Sequence, residues 1–451
     1  MSALPETPLS SIEIPWVESI SQDPARPDGW LREFDSPLNL LQTEPFRENI
    51  KQLSKALSKL VDNHTIHYAI KANKATCFVE AASECGIGVD VASLTELQTA
   101  VASGLTGSRI TVTGVVKSPD LIRTAIEEDA ILVADHREEF DLIIRESRKL
   151  AKQARLAVRV SGFSDHGKTI PTRFGMSPDE LRNQLRYLLE NSKHVRLEGI
   201  HFHLPGYSAT ARREALKETF LLVDTINSEG GSIRFIDIGG GFPMSYLKSE
   251  DEWNAFWERN RESPLPGVSE STSYPYFNET TLPGFLHEIL VGLRKEFRER
   301  DLELRCEPGR SLLANSGATI ARVASVKPAT HGRTAVTCEI NGTQIRPRSG
   351  ELLVDPILIP RDDVSRSPAL EDSSFHLFGR YCSENDFLFR RPIPFKTPPR
   401  PGDIVLFPNT AGYHMHFLET HGHGFPLAEN LVIDNPDSPS LDRSNTTKAS
   451  L

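Results

Sequence analysis

Cysteine is scarce, with five residues in 451 and no CxxC pair. An odd, scattered set (Cys77, Cys85, Cys306, Cys338, Cys382) does not read as a disulfide framework and suits reduced thiols in a cytosol. Long apolar runs are missing, since no stretch approaches the length that crosses a bilayer. The Pro-, Ser- and Glu-rich N-terminus also lacks the basic segment and apolar core of a secretory leader. A cytoplasmic location is the expectation. There is no sustained basic run, and a formal net charge of −10 argues against nucleic acid or an anionic membrane as the main partner. Small molecules are favoured. With 38% hydrophobic and 25% charged residues, the composition is that of a globular protein long enough for two domains.

From about residue 45 to 310, short β-branched segments alternate with helical patterns, the signature of βα units around a parallel sheet. Eight strands are expected, at Thr65–Ile70, Gly88–Ala92, Arg109–Gly114, Ala130–Asp135, Arg155–Val160, Arg196–His203, Arg234–Ile238 and Glu303–Glu307. That count favours a (β/α)8 TIM-type barrel over a doubly wound open sheet. Past Arg310, strand-like runs separated by Pro, Gly and Asp turns predict a β-domain, a β-sandwich or β-barrel, over 311–434. Residues 1–44 show no helix period and are expected to pair with that domain. The aromatic, Pro-rich stretch Met244–Gly284 is long for a βα connection and suggests a lid. The Ser/Asp/Asn/Thr-rich tail from about Asn435 to 451 reads as disordered.

In such a barrel the loops after the strands build the active site. Five of the eight expected strand ends carry chemically unusual residues: Lys71, Asp90, His201 with His203, Asp237-Ile238-Gly239-Gly240-Gly241, and Glu307-Pro308-Gly309-Arg310. A lysine closing an apolar strand is costly unless used, and a desolvated lysine readily forms a Schiff base with an aldehyde such as that of pyridoxal phosphate. The glycine run lets backbone N–H groups approach a phosphate, with Arg310 as a charged partner. Singly, each has a plainer reading: a snorkelling lysine, a tight turn, a core histidine, a small buried cysteine. His414, His416, His421 and His423 have metal-like spacing but no cysteine partner, and read as a rim loop; no metal is expected.

Taken in order, Tyr68-Ala69-Ile70-Lys71-Ala72-Asn73, Gly88-Val89-Asp90-Val91-Ala92-Ser93, His201-Phe202-His203, Gly239-Gly240-Gly241-Phe242-Pro243, Glu307-Pro308-Gly309-Arg310, Tyr381-Cys382-Ser383-Glu384-Asn385-Asp386 and Ala411-Gly412-Tyr413 resemble one family over nearly the whole chain. It is that of the pyridoxal-phosphate decarboxylases of the alanine-racemase fold, which includes diaminopimelate and ornithine decarboxylases. The resemblance implies a homodimeric carboxy-lyase with pyridoxal 5'-phosphate as cofactor and an amino acid as substrate. It implies that Lys71 holds the cofactor as a Schiff base, His203 stacks on its ring, Glu307 pairs with the pyridine nitrogen and Asp90 lies near the lysine end. Gly239, Gly240, Gly241, Arg310 and Tyr413 would hold the phosphate. Cys382, contributed across the dimer interface, would protonate the carbanion left by carbon dioxide.

Three departures bear on specificity. Gly206 stands where the family usually has a phosphate-binding serine, and Tyr207 or Ser208 are candidate substitutes. Ser383 replaces the acidic residue that follows the cysteine, with Glu384 one place later. In Asn341-Gly342-Thr343-Gln344-Ile345-Arg346-Pro347, Arg346 resembles the arginine that grips a distal carboxylate in diaminopimelate decarboxylases, although the tyrosine four residues on is Gly350. The substrate expected is a diamino acid with a distal carboxylate, bound by Arg310, Arg346, Ser383 and Glu384. An ornithine/lysine-type decarboxylase, an amino-acid racemase, a non-catalytic regulatory homologue and, more remotely, a metal hydrolase are the alternatives.

Overall fold

Strands of an all-parallel barrel are covered on both faces, so they are short and apolar throughout. Val89, Val91, Ile110, Val112, Ile131, Leu132 and Val133 are fully buried in this way. The computed structural model describes residues 7–270, 274–329, 333–346, 350–361 and 375–444. Eight parallel strands close a barrel in the order His64–Ala69, Gly88–Val91, Ile110–Val112, Ile131–Ala134, Ala154–Arg159, Val195–His201, Phe235–Asp237 and Glu303–Cys306, the last pairing with the first. All eight overlap the expected segments, the first, fifth and sixth starting one residue earlier, and closure removes the open-sheet alternative. A side chain at Gly199 would strike the ring of Phe235, which packs with Ile131, Val133 and Ala157. Serines restart the helices after several strands: Ser93, Ser118 and Ser208 each accept an N–H of the first helical turn, from Glu96, Leu121 and Ala211.

The barrel unit comprises Arg47–Pro243 and Thr280–Leu312, and the other unit runs up to Phe46, through Met244–Glu279, and from Leu313 on. Its eight-stranded sheet centres on Gly317–Pro328, which pairs antiparallel with Leu38–Leu41, Ile404–Pro408 and Thr334–Cys338. Leu38–Leu41 also runs parallel to Glu429–Val432, so the N-terminal segment is a sheet strand of this unit.

Three expectations need correction. Residues 45–310 are not one uninterrupted barrel, because Met244–Glu279 belongs to the β-unit. Tyr246, Leu247, Phe256, Trp257 and Tyr276 are buried there with Leu9, Val336, Leu353 and Phe407, which makes this stretch core rather than a loose lid. The β-unit also has helices, Pro15–Gln22 and Ala25–Glu33 within the segment expected to lack them and Glu250–Glu262 in the insertion. Val17 and Ile20, buried from the first of these, recur at a spacing too brief to show as a period. Finally, the tail does not lose order at Asn435: Ser440–Leu441 pairs with Glu429–Val432, and Asp442 N–H donates to Asn430. Residues 445–451 lie outside the described set.

Candidate active site

Lys71 sits just beyond the first barrel strand, on a single 3-10 turn, Ile70–Ala72. The strand stops at Ala69, so the side chain leaves the apolar core; it is 38% exposed and its Nζ lies 2.8 Å from Oδ2 of Asp90, itself only 1% exposed. The cost expected from burying the ammonium is thus avoided by exit toward the strand ends and by pairing. Thr113, past the third strand, donates its hydroxyl to the other Asp90 oxygen. This fixes the carboxylate beneath the lysine.

A buried chain of polar groups crosses the mouth. Arg159, at the end of the fifth strand, donates from Nη1 to Asp135 at 3.1 Å and from Nε to Nδ1 of His201 at 3.2 Å. Because His201 Nδ1 accepts a proton-bearing donor, the neutral ring carries its hydrogen on Nε2. That atom lies 3.3 Å from Oε1 of Glu307. Burial, reinforced by Arg159, holds His201 well below the usual imidazole value, so it is neutral at physiological pH. Asp237 completes the cluster; its Oδ1 accepts Gly239 N–H at 2.9 Å. Burial and the Glu307 charge push Asp237 well above the carboxylate range. Glu307 Oε1, His201 Nε2 and Asp237 Oδ2 are all buried without an aligned hydrogen-bond partner.

His203 is accessible yet surrounded by protein, as a residue on the floor of a concave mouth is. Those surroundings, with Lys71 as the next contributor, hold it well below its usual value. Its Nδ1 accepts Gly240 N–H at 3.1 Å, which ties the histidine to the glycine loop. Gly239 and Gly241 have φ of +65° and +83°. A Cβ at Gly239 would come 2.6 Å from His203 Nδ1, one at Gly240 2.6 Å from the Glu307 carbonyl, and one at Gly241 would strike Arg212. Arg310 follows in the turn after the eighth strand, and the Pro308 carbonyl there accepts Ala69 N–H at 3.2 Å, locking that turn to the strand that carries Lys71.

The remaining expected residues lie in the β-unit. Cys382, Ser383 and Glu384 are exposed on one turn, which Asp386 ties down. One carboxylate oxygen of Asp386 accepts Tyr381 N–H and the other accepts Gly342 N–H, each at 2.8 Å. The Cys382 turn and the segment leading to Arg346 are therefore one assembly. Arg346 is half-buried, donates to the Phe387 carbonyl, and stacks on the Phe387 ring at 4.6 Å, against which Arg390 also packs at 4.2 Å. Burial lowers the Arg346 pKa, with Arg390 contributing. Tyr413 is half-buried with φ +66°. Of the four histidines in this region, His414 meets the Ile345 carbonyl, His416 meets Asn430, and His423 abuts the ring of Tyr381, so these three engage different partners. Pro347 of the arginine motif lies outside the described residues.

Sequence reasoning named His201 and Asp237 without roles and missed Thr113, Asp135, Arg159 and Arg212. The first three share a visible signal, a polar residue at the carboxyl end of a barrel strand. Arg212, within a helix, has none.

Residues 47–314 match the family described as pyridoxal-dependent decarboxylase, pyridoxal binding domain. The chain belongs to this family. The decarboxylase is 32% identical over 429 residues to the uncharacterized protein y4yA of Sinorhizobium fredii, covering 91% of each chain. It is 27% identical to diaminopimelate decarboxylase of Aquifex aeolicus, over 79% of this chain and 77% of the relative. Among solved structures, Helicobacter pylori diaminopimelate decarboxylase complexed with L-lysine matches with a TM-score of 0.71 at 19% identity, over 94% of this chain and 100% of that one. Vibrio vulnificus lysine/ornithine decarboxylase complexed with putrescine matches at 0.69 and 18%, over 92% and 99%. Both share the fold.

The cofactor of the family is pyridoxal 5'-phosphate, and the site fits it. A lysine stands at the mouth for the aldehyde, the buried Glu307 oxygen lacks a partner of its own, and the glycine loop leaves no room for side chains. Among the described residues, no helix is long and apolar enough to cross a membrane.

Proposed function

We propose that this decarboxylase removes the Cα carboxylate of a diamino acid carrying a second, distal carboxylate, and that it works in the cytoplasm as a homodimer with shared sites. When bound, pyridoxal phosphate supplies an electron sink for the pair released as carbon dioxide leaves. Lys71 would hold the aldehyde, and Asp90, paired with its Nζ at 2.8 Å, would keep the lysine amine at the mouth. Glu307 would keep a proton on the pyridine nitrogen, and the Arg159–His201 contact would support it by holding the His201 ring beside its carboxylate, 3.3 Å away. His203 stacks against the ring, anchored through Gly240. Gly239, Gly240, Gly241, Arg310 and Tyr413 bind the phosphate. Cys382 of the opposite protomer delivers a proton to Cα.

The observation that carries the substrate reading is the tie made by Asp386 between the Cys382 turn and the Arg346 segment. A group protonated at Cys382 then has its far end within a neighbourhood furnished with Arg346 and Arg390, where a carboxylate is favoured and a bare ammonium is not. Ser383 and Gly350 replace bulkier or acidic groups and leave room for a larger substrate, with Glu384, next to Ser383 in the chain, for its distal amine. Arg346→Leu is expected to lower kcat/KM for a carboxylated substrate by about 100-fold, while an analogue lacking the distal carboxylate changes by less than about threefold. Equal losses on both, or a wild-type preference for ornithine or lysine, would overturn the substrate assignment.

A further inference from the structure

Among the described residues, no carboxylate forms a hydrogen bond or ion pair with Arg212, whose guanidinium carbon lies 5.5 Å from the centre of the Phe285 ring. This arginine lies in the first turn of the helix Ala209–Ser228, is fully buried, and donates only to backbone carbonyls. Nη2 reaches Leu204 and Gly206, each at 2.8 Å, and Gly240 at 3.2 Å; Nη1 reaches Ser208 at 3.1 Å; Nε is buried with no partner. Asp165 acts on it only at longer range and accepts the Ser208 hydroxyl instead. Burial pulls the guanidinium down to about 10, so it stays charged at physiological pH in an environment that disfavours charge. A hydrophobic residue would fill this space without that penalty. The charge therefore calls for an anion supplied from outside the chain.

The carbonyls it binds belong to the two loops that face the cofactor's phosphate in the proposed site, Leu204–Ser208 after His203 and the glycine run. In a trans peptide the C=O and the next N–H point in opposite directions. Arg212 thus holds the Gly206 and Gly240 carbonyls toward itself and turns the N–H groups of Tyr207 and Gly241 the other way. We propose that Arg212 is the buried counter-charge and strut of the phosphate cradle, compensating for the hydroxyl that Gly206 cannot offer. Arg212 acts from behind the loops, so it is a positioning residue. The inference rests on pyridoxal phosphate as cofactor and is independent of the substrate.

The test compares binding of pyridoxal phosphate and of pyridoxal, which lacks the phosphate, to cofactor-free protein, followed by the absorbance of the bound aldehyde. Arg212→Gln keeps hydrogen-bond donors and loses the charge. It is expected to weaken pyridoxal phosphate by about 30-fold or more, as removal of a buried charge partner does, and pyridoxal by less than about threefold. Arg212→Lys keeps the charge, and a desolvated lysine has a depressed pKa. Its ratio of pyridoxal phosphate to pyridoxal affinity should be near wild type at pH 7 and fall by pH 9, where the wild-type ratio holds. If Arg212→Gln does not fold, the lysine variant alone decides: a pH-independent ratio overturns the proposal. Equal losses of both ligands in Arg212→Gln also overturn it, while failure of wild type to bind either aldehyde would instead refute the cofactor assignment.

Discussion

At the scale of single residues, the site works because ionisable groups are held in unequal states. Lys71 and Asp90 form a half-exposed ion pair, while burial disfavours the charged forms of His201 and Asp237. Lys71→Ala should fold, since its side chain contributes little packing, but borohydride reduction of the loaded variant should leave no pyridoxal on the polypeptide. A reducible link at another lysine would refute the role of Lys71. The buried histidines make the fold acid-sensitive. His67, whose Nε2 meets the Ser108 carbonyl at 3.1 Å, is pushed down to about 4 by burial. Above pH 6.5 it is neutral in both folded and unfolded chains and has no effect. As pH falls from 6.5 toward 4 the unfolded chain takes up a proton that the folded one refuses, and stability is lost by at most about 3 kcal/mol. His67→Gln should flatten the decline of urea midpoints over that window by a corresponding amount, and an unchanged decline would contradict it. These environments were not legible in the sequence, because each joins residues from different strands.

At the scale of elements, the barrel was legible because parallel strands are apolar on both faces and because their carboxyl ends carry the odd residues out. The glycine run was expected to form a cradle, and the structure gives a steric reason for its glycines. Gly240 has no unusual φ, yet a Cβ there would press on the Glu307 carbonyl. Gly240→Ala is expected to destabilise the fold by about 2 kcal/mol, as overpacking of a tight site does. It should also weaken cofactor binding, since the intruding methyl displaces the segment bearing Glu307. Thermal unfolding and cofactor titration of the variant would check both, and wild-type values for both would show that the loop yields at no cost. The insertion Met244–Glu279 was the main element misjudged. Its Trp, Tyr and Pro content resembled a loop over a ligand, whereas its aromatics supply core to a sheet unit assembled from distant segments. Composition cannot tell those two fates apart.

At the scale of the whole molecule, the β-unit draws on three stretches of chain, and it holds Cys382, Arg346 and Tyr413 while the barrel holds Lys71, Glu307 and the glycine cradle. The proposed sharing of sites between protomers predicts that inactive Lys71→Ala and inactive Cys382→Ala chains regain activity when mixed, because one of the two composite sites in a heterodimer carries both native residues. No recovery despite demonstrated subunit exchange would place Cys382 in its own protomer's site. The family and reaction class could be read from ordered motifs, but the substrate turns on residues that depart from them. The most direct measurement is the fate of a labelled α-carboxylate when the loaded enzyme meets diaminopimelate, related carboxylated diamino acids, ornithine and lysine. Release of labelled carbon dioxide, fastest from a substrate with a distal carboxylate, is the predicted result. Exchange or inversion at Cα with the carboxylate retained, for every substrate, would contradict the account and mark the protein as a racemase.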